Sequence, residues 1–142
     1  MKPHDAGVRD LVRQWLDKAS ADFSAAEYLC GQKQQFGAII AFHCQQAEKF
    51  LKAFLVRHQI EFPKTHDLAK LLHNVATVDP AMANLLSDAD QLTPFGVETR
   101  YPGDAPELLP GGEYAAIEMT RRVRSAVTGS LESFLHAADS QA

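Results

Sequence analysis

The sequence predicts an all-α protein, an up-and-down bundle of four to five helices with one long crossover loop. Three observations predict it. Apolar residues recur every three or four positions over most of the chain, no stretch alternates with the period of two that a half-buried strand needs, and proline falls between the periodic segments. At 142 residues, 46% hydrophobic and 23% charged, the chain suits a single domain over residues 1–142, with a core from about 8 to 138.

A first helix is expected from residue 8 to about 31, where Val12, Trp15, Leu16, Ala19, Phe23 and Ala26 mark one face and Gly31 supplies the stop. The second runs from Phe36 to His58 with the stripe Phe36, Ile40, His43, Ala47, Phe50 and Phe54, and the short QKQQ link folds it back antiparallel on the first. Pro63 then breaks the chain. Thr65 is the expected N-cap of a third helix, with Asp67 opposing the dipole in the first turn and Leu68, Leu71, Leu72 and Val75 buried. Asp79-Pro80 opens a short fourth helix through Met82, Leu85 and Leu86, since proline is tolerated in a first turn. From Thr93 to Gly112 four prolines and four glycines leave no helical pattern, so this is the long loop. Loops of this length inside a domain are commonly functional, which draws attention to Arg100 and Tyr101. The last helix starts near Glu113 and runs to about Ala138, burying Ala116, Thr120, Val123, Val127, Leu131 and Phe134. Glu118 and Arg122 form an i,i+4 pair on its outer side, and Gly129 marks a kink or a close helix contact.

Fourteen basic against eighteen acidic side chains give a net charge of −4, so no general cationic field exists to gather nucleic acid. A polyanion would need a local patch. Residues 43–73 hold five Lys/Arg, three acids and four of the six histidines, whereas residues 79–107 hold six acids and one arginine. Cys30 and Cys44 match no metal spacing and read as reduced structural thiols, which points to a reducing cytoplasm. The charged amino terminus lacks the apolar run of a secretion signal, and no stretch approaches the ~20 apolar residues of a membrane span. The expectation is a soluble cytoplasmic protein.

Chemistry concentrates in FHCQQAEKFLK at residues 42–52 and in Thr65-His66-Asp67. His43 lies on the apolar stripe, where an imidazole either hydrogen-bonds structurally or takes part in ligand contact or proton transfer. Gln45 and Gln46 could read a base edge or simply sit on a helix surface. Lys49 and Lys52 could neutralise phosphate, or with Glu48 form a solvated ion-paired face. Thr65, His66 and Asp67 place backbone N–H groups at a helix start, either an anion site or a capping turn. Arg100 and Tyr101 could supply a fork and a stacking ring, or a surface ion pair.

Trp15 and Asp22 in a W-x6-D pattern, AFHCQQAEKFLKAFL at 41–55, P-x-THDL at 63–68 and Arg100-Tyr101-Pro102 together resemble the HEPN domain over about residues 12–135. The chain has one residue fewer before Glu48-Lys49 than that pattern. The resemblance implies a small helical bundle, similar to the substrate-binding helical domain that accompanies some nucleotidyltransferases, and a homodimer. It also implies a minimal nucleotidyltransferase partner in a two-component, toxin–antitoxin-like system, or else a metal-independent ribonuclease. The ribonuclease branch carries an arginine followed, after four to six intervening residues, by a histidine, and none of the seven arginines here is followed by a histidine at that separation. The expectation is therefore a nucleotide- or polyphosphate-binding or partner-binding module. His43, Gln46, Lys49, Lys52, Thr65, His66, Arg100 and Tyr101 are its candidate contacts, and no catalytic residue, metal or cofactor is assigned. Two alternatives stand beside it: a ribonuclease using His43 or His66 with Arg100, and a purely structural dimeric scaffold.

Overall fold

Helical periodicity carries through to three dimensions in the computed structural model, which describes residues 3–33, 35–96 and 108–137. Among the described residues there is no strand. The described residues form six α-helices, in order α1 (Pro3–Cys30), α2 (Gly37–Gln45), α3 (Glu48–Arg57), α4 (Leu68–Ala76), α5 (Pro80–Leu85) and α6 (Gly112–His136), with a 3-10 stretch at Ser87–Phe95.

The stripe of α1 is buried as its spacing requires: Val12, Ala19, Phe23 and Ala26 are at most 1% exposed, while Trp15 and Leu16 pack partly buried at the edge. Gly31 follows the last residue of α1, and its N–H bonds to Tyr28 O at 3.2 Å. The long helix α6 runs antiparallel to α1. Arg9 and Arg13 donate to the carbonyls of Phe134 and Leu135 at the far end of α6, and Glu27 meets Arg121 near its start. Ala116, Ile117, Thr120, Val123, Val127 and Leu131 of α6 close the core against α1, α2 and α3.

The expected single helix from Phe36 to His58 is two helices. At the joint, N–H groups of Gln46, Ala47, Lys49 and Phe50 each bond a carbonyl three residues back, at 2.9–3.2 Å, in the tighter 3-10 pattern. α3 is the most enclosed element: every residue from Phe50 to Leu55 is buried. It ends with Gln59 in the left-handed region, φ 55°, and Ile60 N–H returning to Leu55 O at 2.9 Å, a Schellman-type stop.

Other expectations are corrected or refined. Asp67, not Thr65, caps α4, accepting from the N–H groups of Ala69 and Lys70. Leu85 is 62% exposed, because the short α5 turns Met82 and Leu86 inward instead. A Cβ at Gly129 would meet nothing within 4 Å, so no close helix contact explains that glycine. Glu118 pairs with Arg121 at 2.6 Å, leaving Arg122 to face Asp88 at 3.8 Å. The fourth helix opens at Asp79-Pro80 as read, with Pro80 in the first turn, and Asp79 caps it by accepting from Met82 N–H at 2.9 Å.

Candidate functional site

Two carboxylates organise the polar residues, and each holds one histidine and one lysine. Asp22 lies seven residues after Trp15, so both face the same neighbour from α1. Its Oδ1 is 2.9 Å from His43 Nδ1, and its Oδ2 accepts from Lys49 Nζ at 2.8 Å. This outer group stays partly open, with side-chain exposures of 25% for His43, 22% for Lys49 and 18% for Asp22. Phe42, 38% exposed, sets its ring edge-on to His43 with centroids 5.7 Å apart.

The inner group centres on Glu48, whose side chain is 1% exposed. Its Oε1 is 2.5 Å from His66 Nδ1, and its Oε2 is 3.6 Å from Lys52 Nζ, within ion-pair range but beyond a hydrogen bond. Oε2 is accordingly a buried oxygen with no hydrogen-bond partner among the described residues. The Lys52 ammonium also lies 5.3 Å from the Trp15 ring centroid, a cation–π contact that suits a poorly solvated charge. Two amides extend this group: Gln46 Nε2 donates to Gln45 Oε1 at 2.8 Å, and Gln45 Nε2 donates to His66 O at 2.6 Å. Gly96 makes room for them, since a Cβ there would fall 2.9 Å from Gln45 Cδ.

An ionised carboxylate can only accept, so each imidazole donates through Nδ1 and keeps Nε2 for another partner. Neither Nε2 has a hydrogen bond among the described residues. The turn before α4 offers less to an anion than its sequence suggests. Asp67 N–H bonds to Thr65 Oγ1, Leu68 N–H to Thr93 Oγ1, and the N–H groups of Ala69 and Lys70 to Asp67 Oδ1. All four donors at that helix start are occupied, which favours the capping reading of Thr65-His66-Asp67.

The structure thus gathers His43 and Lys49 on Asp22, and Gln46, Lys52 and His66 around Glu48, with Thr65 accepting the Asp67 N–H in the turn before α4. Glu48 and Lys52 do not form the solvated face that one reading allowed, because both are buried. Arg100 and Tyr101 lie outside the described residues. Asp22 and Trp15 belong to these polar groups but were not among the sequence's candidate contacts; their seven-residue spacing was the available signal. No group of three or more His, Cys, Asp or Glu converges on a metal-sized site among the described residues. No described helix is long and apolar enough to cross a membrane.

Two titrating groups lie away from the network. Burial pushes the Cys44 thiol up to about 11, partly offset by its Thr120 hydrogen bond and reinforced by nearby Cys30. Burial, and secondarily the Arg57 charge, lowers His58, with Asp79 opposing. A cleft of about 520 Å³ between the end of α1 and the start of α6 is lined by Leu29, Phe36, Ile40, Leu108 and Tyr114, among others, and by no member of the polar network.

The family model for the HEPN domain matches residues 12–133. No curated protein and no solved structure matches the chain.

Proposed function

The chain belongs to the HEPN domain family, and on that premise we propose that it is a non-catalytic docking module for a nucleotidyltransferase-type partner in a two-component, toxin–antitoxin-like system. The observation that supports this is the pairing of its charges. Lys49 is bound to Asp22 at 2.8 Å, and Lys52 keeps 8% side-chain exposure beside Glu48, so neither ammonium is a free phosphate anchor. What remains open is a strip of hydrogen-bonding and apolar edges: Phe42, His43, Lys49 and His66. Such a strip suits a protein surface better than a polyphosphate, because it offers directional donors and acceptors around an exposed aromatic ring with little net charge. Nucleotide contact, where it occurs, falls to His43, Lys49 and His66, with Gln46 and Lys52 in support and Arg100 and Tyr101 named by sequence. Homodimer formation and a cytoplasmic location belong to the same reading.

The test is direct. The chain is used as bait in its own cells, where a minimal nucleotidyltransferase should co-purify with it, and ATP is titrated by calorimetry into the chain alone and into that complex. Docking should be weakened by Phe42→Ala and by His43→Ala while circular dichroism stays that of the wild type. A complex indifferent to both substitutions would overturn the assigned surface.

A second reading, a ribonuclease with a non-standard site, draws support from the two carboxylate-anchored imidazoles. Cleavage of unstructured RNA that survives His43→Ala with His66→Ala would remove it.

A further inference from the structure

We infer that the face formed by the end of α1, the α1–α2 link and the start of α6 is an isologous interface, on which a second copy of this chain docks. Two hollows lie side by side there. The cleft of about 520 Å³ and a neighbouring groove of about 430 Å³ share Cys30 and Tyr114 in their walls, and Tyr114 is 63% exposed. Leu109 also lines the cleft and is 74% exposed. A two-fold contact needs knobs and holes on one and the same surface, and exposed apolar side chains beside two hollows supply both.

The face is preformed. Leu108 is clasped between the starts of α2 and α6, so closely that a Cβ at Gly37 would lie 3.1 Å from its Cδ2 and one at Gly112 2.9 Å from its Cδ1. Little ordering is therefore left to be done when the face is covered.

Charge selects the occupant. Lys33 enters the cleft from the α1–α2 link and Glu113 from the first turn of α6, and neither forms an ion pair among the described residues. The charges in the groove wall are already satisfied, since Arg121 meets both Glu27 and Glu118. A two-fold axis sets each copy's Lys33 against the other's Glu113, whereas a uniformly basic or acidic partner would satisfy one and repel the other.

This inference gives a place to the homodimer of the preceding reading and uses none of its docking residues. Sedimentation velocity on the full chain at micromolar concentrations tests it. The wild type should sediment as a dimer, and Tyr114→Ala and Leu109→Asp should each raise the dissociation constant roughly tenfold or more. Lys33→Glu and Glu113→Lys each set like charges across the axis and should weaken the dimer alone. An equimolar mixture of these two variants should pair as the wild type does, because both cross-interface contacts are then opposite in sign, and mixing could not rescue a misfolded chain. Charge variants that dimerise like the wild type, or a mixture no tighter than its components, would overturn the interface. So would a wild-type monomer, which leaves partner docking to be judged by co-purification; lost docking with an intact dimer removes only the docking surface.

Discussion

Glu48 is buried in the core, yet its Oε1 lies 2.5 Å from the Nδ1 of His66, a side chain that is half in solvent. One carboxylate therefore fastens the segment between α3 and α4 to the most enclosed helix of the bundle. Its other oxygen faces Lys52, so the same group also neutralises a buried ammonium.

Removing that carboxylate should be costly. Glu48→Ala leaves the Lys52 charge buried and unpaired, and the expected loss is about 3–5 kcal/mol in urea unfolding. Adding Lys52→Met to Glu48→Ala should recover part of the loss, since the stranded charge goes with it. Strict additivity of the two single substitutions would show that the pair is not coupled.

The cap of α4 can be tested alone. Asp67→Ala removes the acceptor for two backbone N–H groups, and about 1 kcal/mol of stability should go with it. The midpoint of denaturation should shift without a change in slope.

Gly96→Ala should also destabilise, by about 1–3 kcal/mol, through overpacking rather than backbone strain. The new methyl would sit 2.9 Å from Gln45 Cδ, and that amide is already fixed by His66 O and Gln46. Chemical-shift changes at Gln45 and His66 would accompany the lost stability.

His58 predicts an acid-side slope. Its folded value lies below the ordinary 6.5, so the unfolded chain binds the proton more readily. Its contribution is present above pH 6.5 and is lost as pH falls through the folded value. His58→Gln should flatten the wild-type stability profile in that window and leave it unchanged near pH 8, as judged by thermal melts across pH.

Cys44 predicts the opposite sign. With the folded thiol at about 11 against an ordinary 9.0, stability should be complete below pH 9.0 and decline as pH rises towards 11, because the unfolded chain ionises first. In the native protein near neutral pH, a thiol reagent should modify the half-buried Cys30 and spare Cys44 until the chain unfolds.

Much of the bundle is legible because α1, α4 and α6 use plain amphipathic stripes, and each buried stripe residue repeats at helical spacing. Gly31, Asp79 and Pro80 punctuate the chain by local rules that no tertiary contact overrides. The break at Gln46-Ala47 carries no such mark, since neither residue opposes a helix and no glycine or proline stands there. The site was half legible for a related reason. The Glu48–Lys52 spacing is local and readable, but which carboxylate His43, Lys49 and His66 meet depends on residues 18–27 positions away in sequence. Asp22 gains its two partners only where α1 packs against α2 and α3.

That unmarked break has a rotational consequence. Residues six apart on an uninterrupted α-helix point about 120° away from each other, so His43 and Lys49 would face different neighbours. A 3-10 residue winds about 20° further than an α-helical one, and four tightened bonds span this joint, which brings the two side chains to within roughly 40°. Overwinding thus lets one aspartate hold both, by advancing the helix nearly one residue of phase between them.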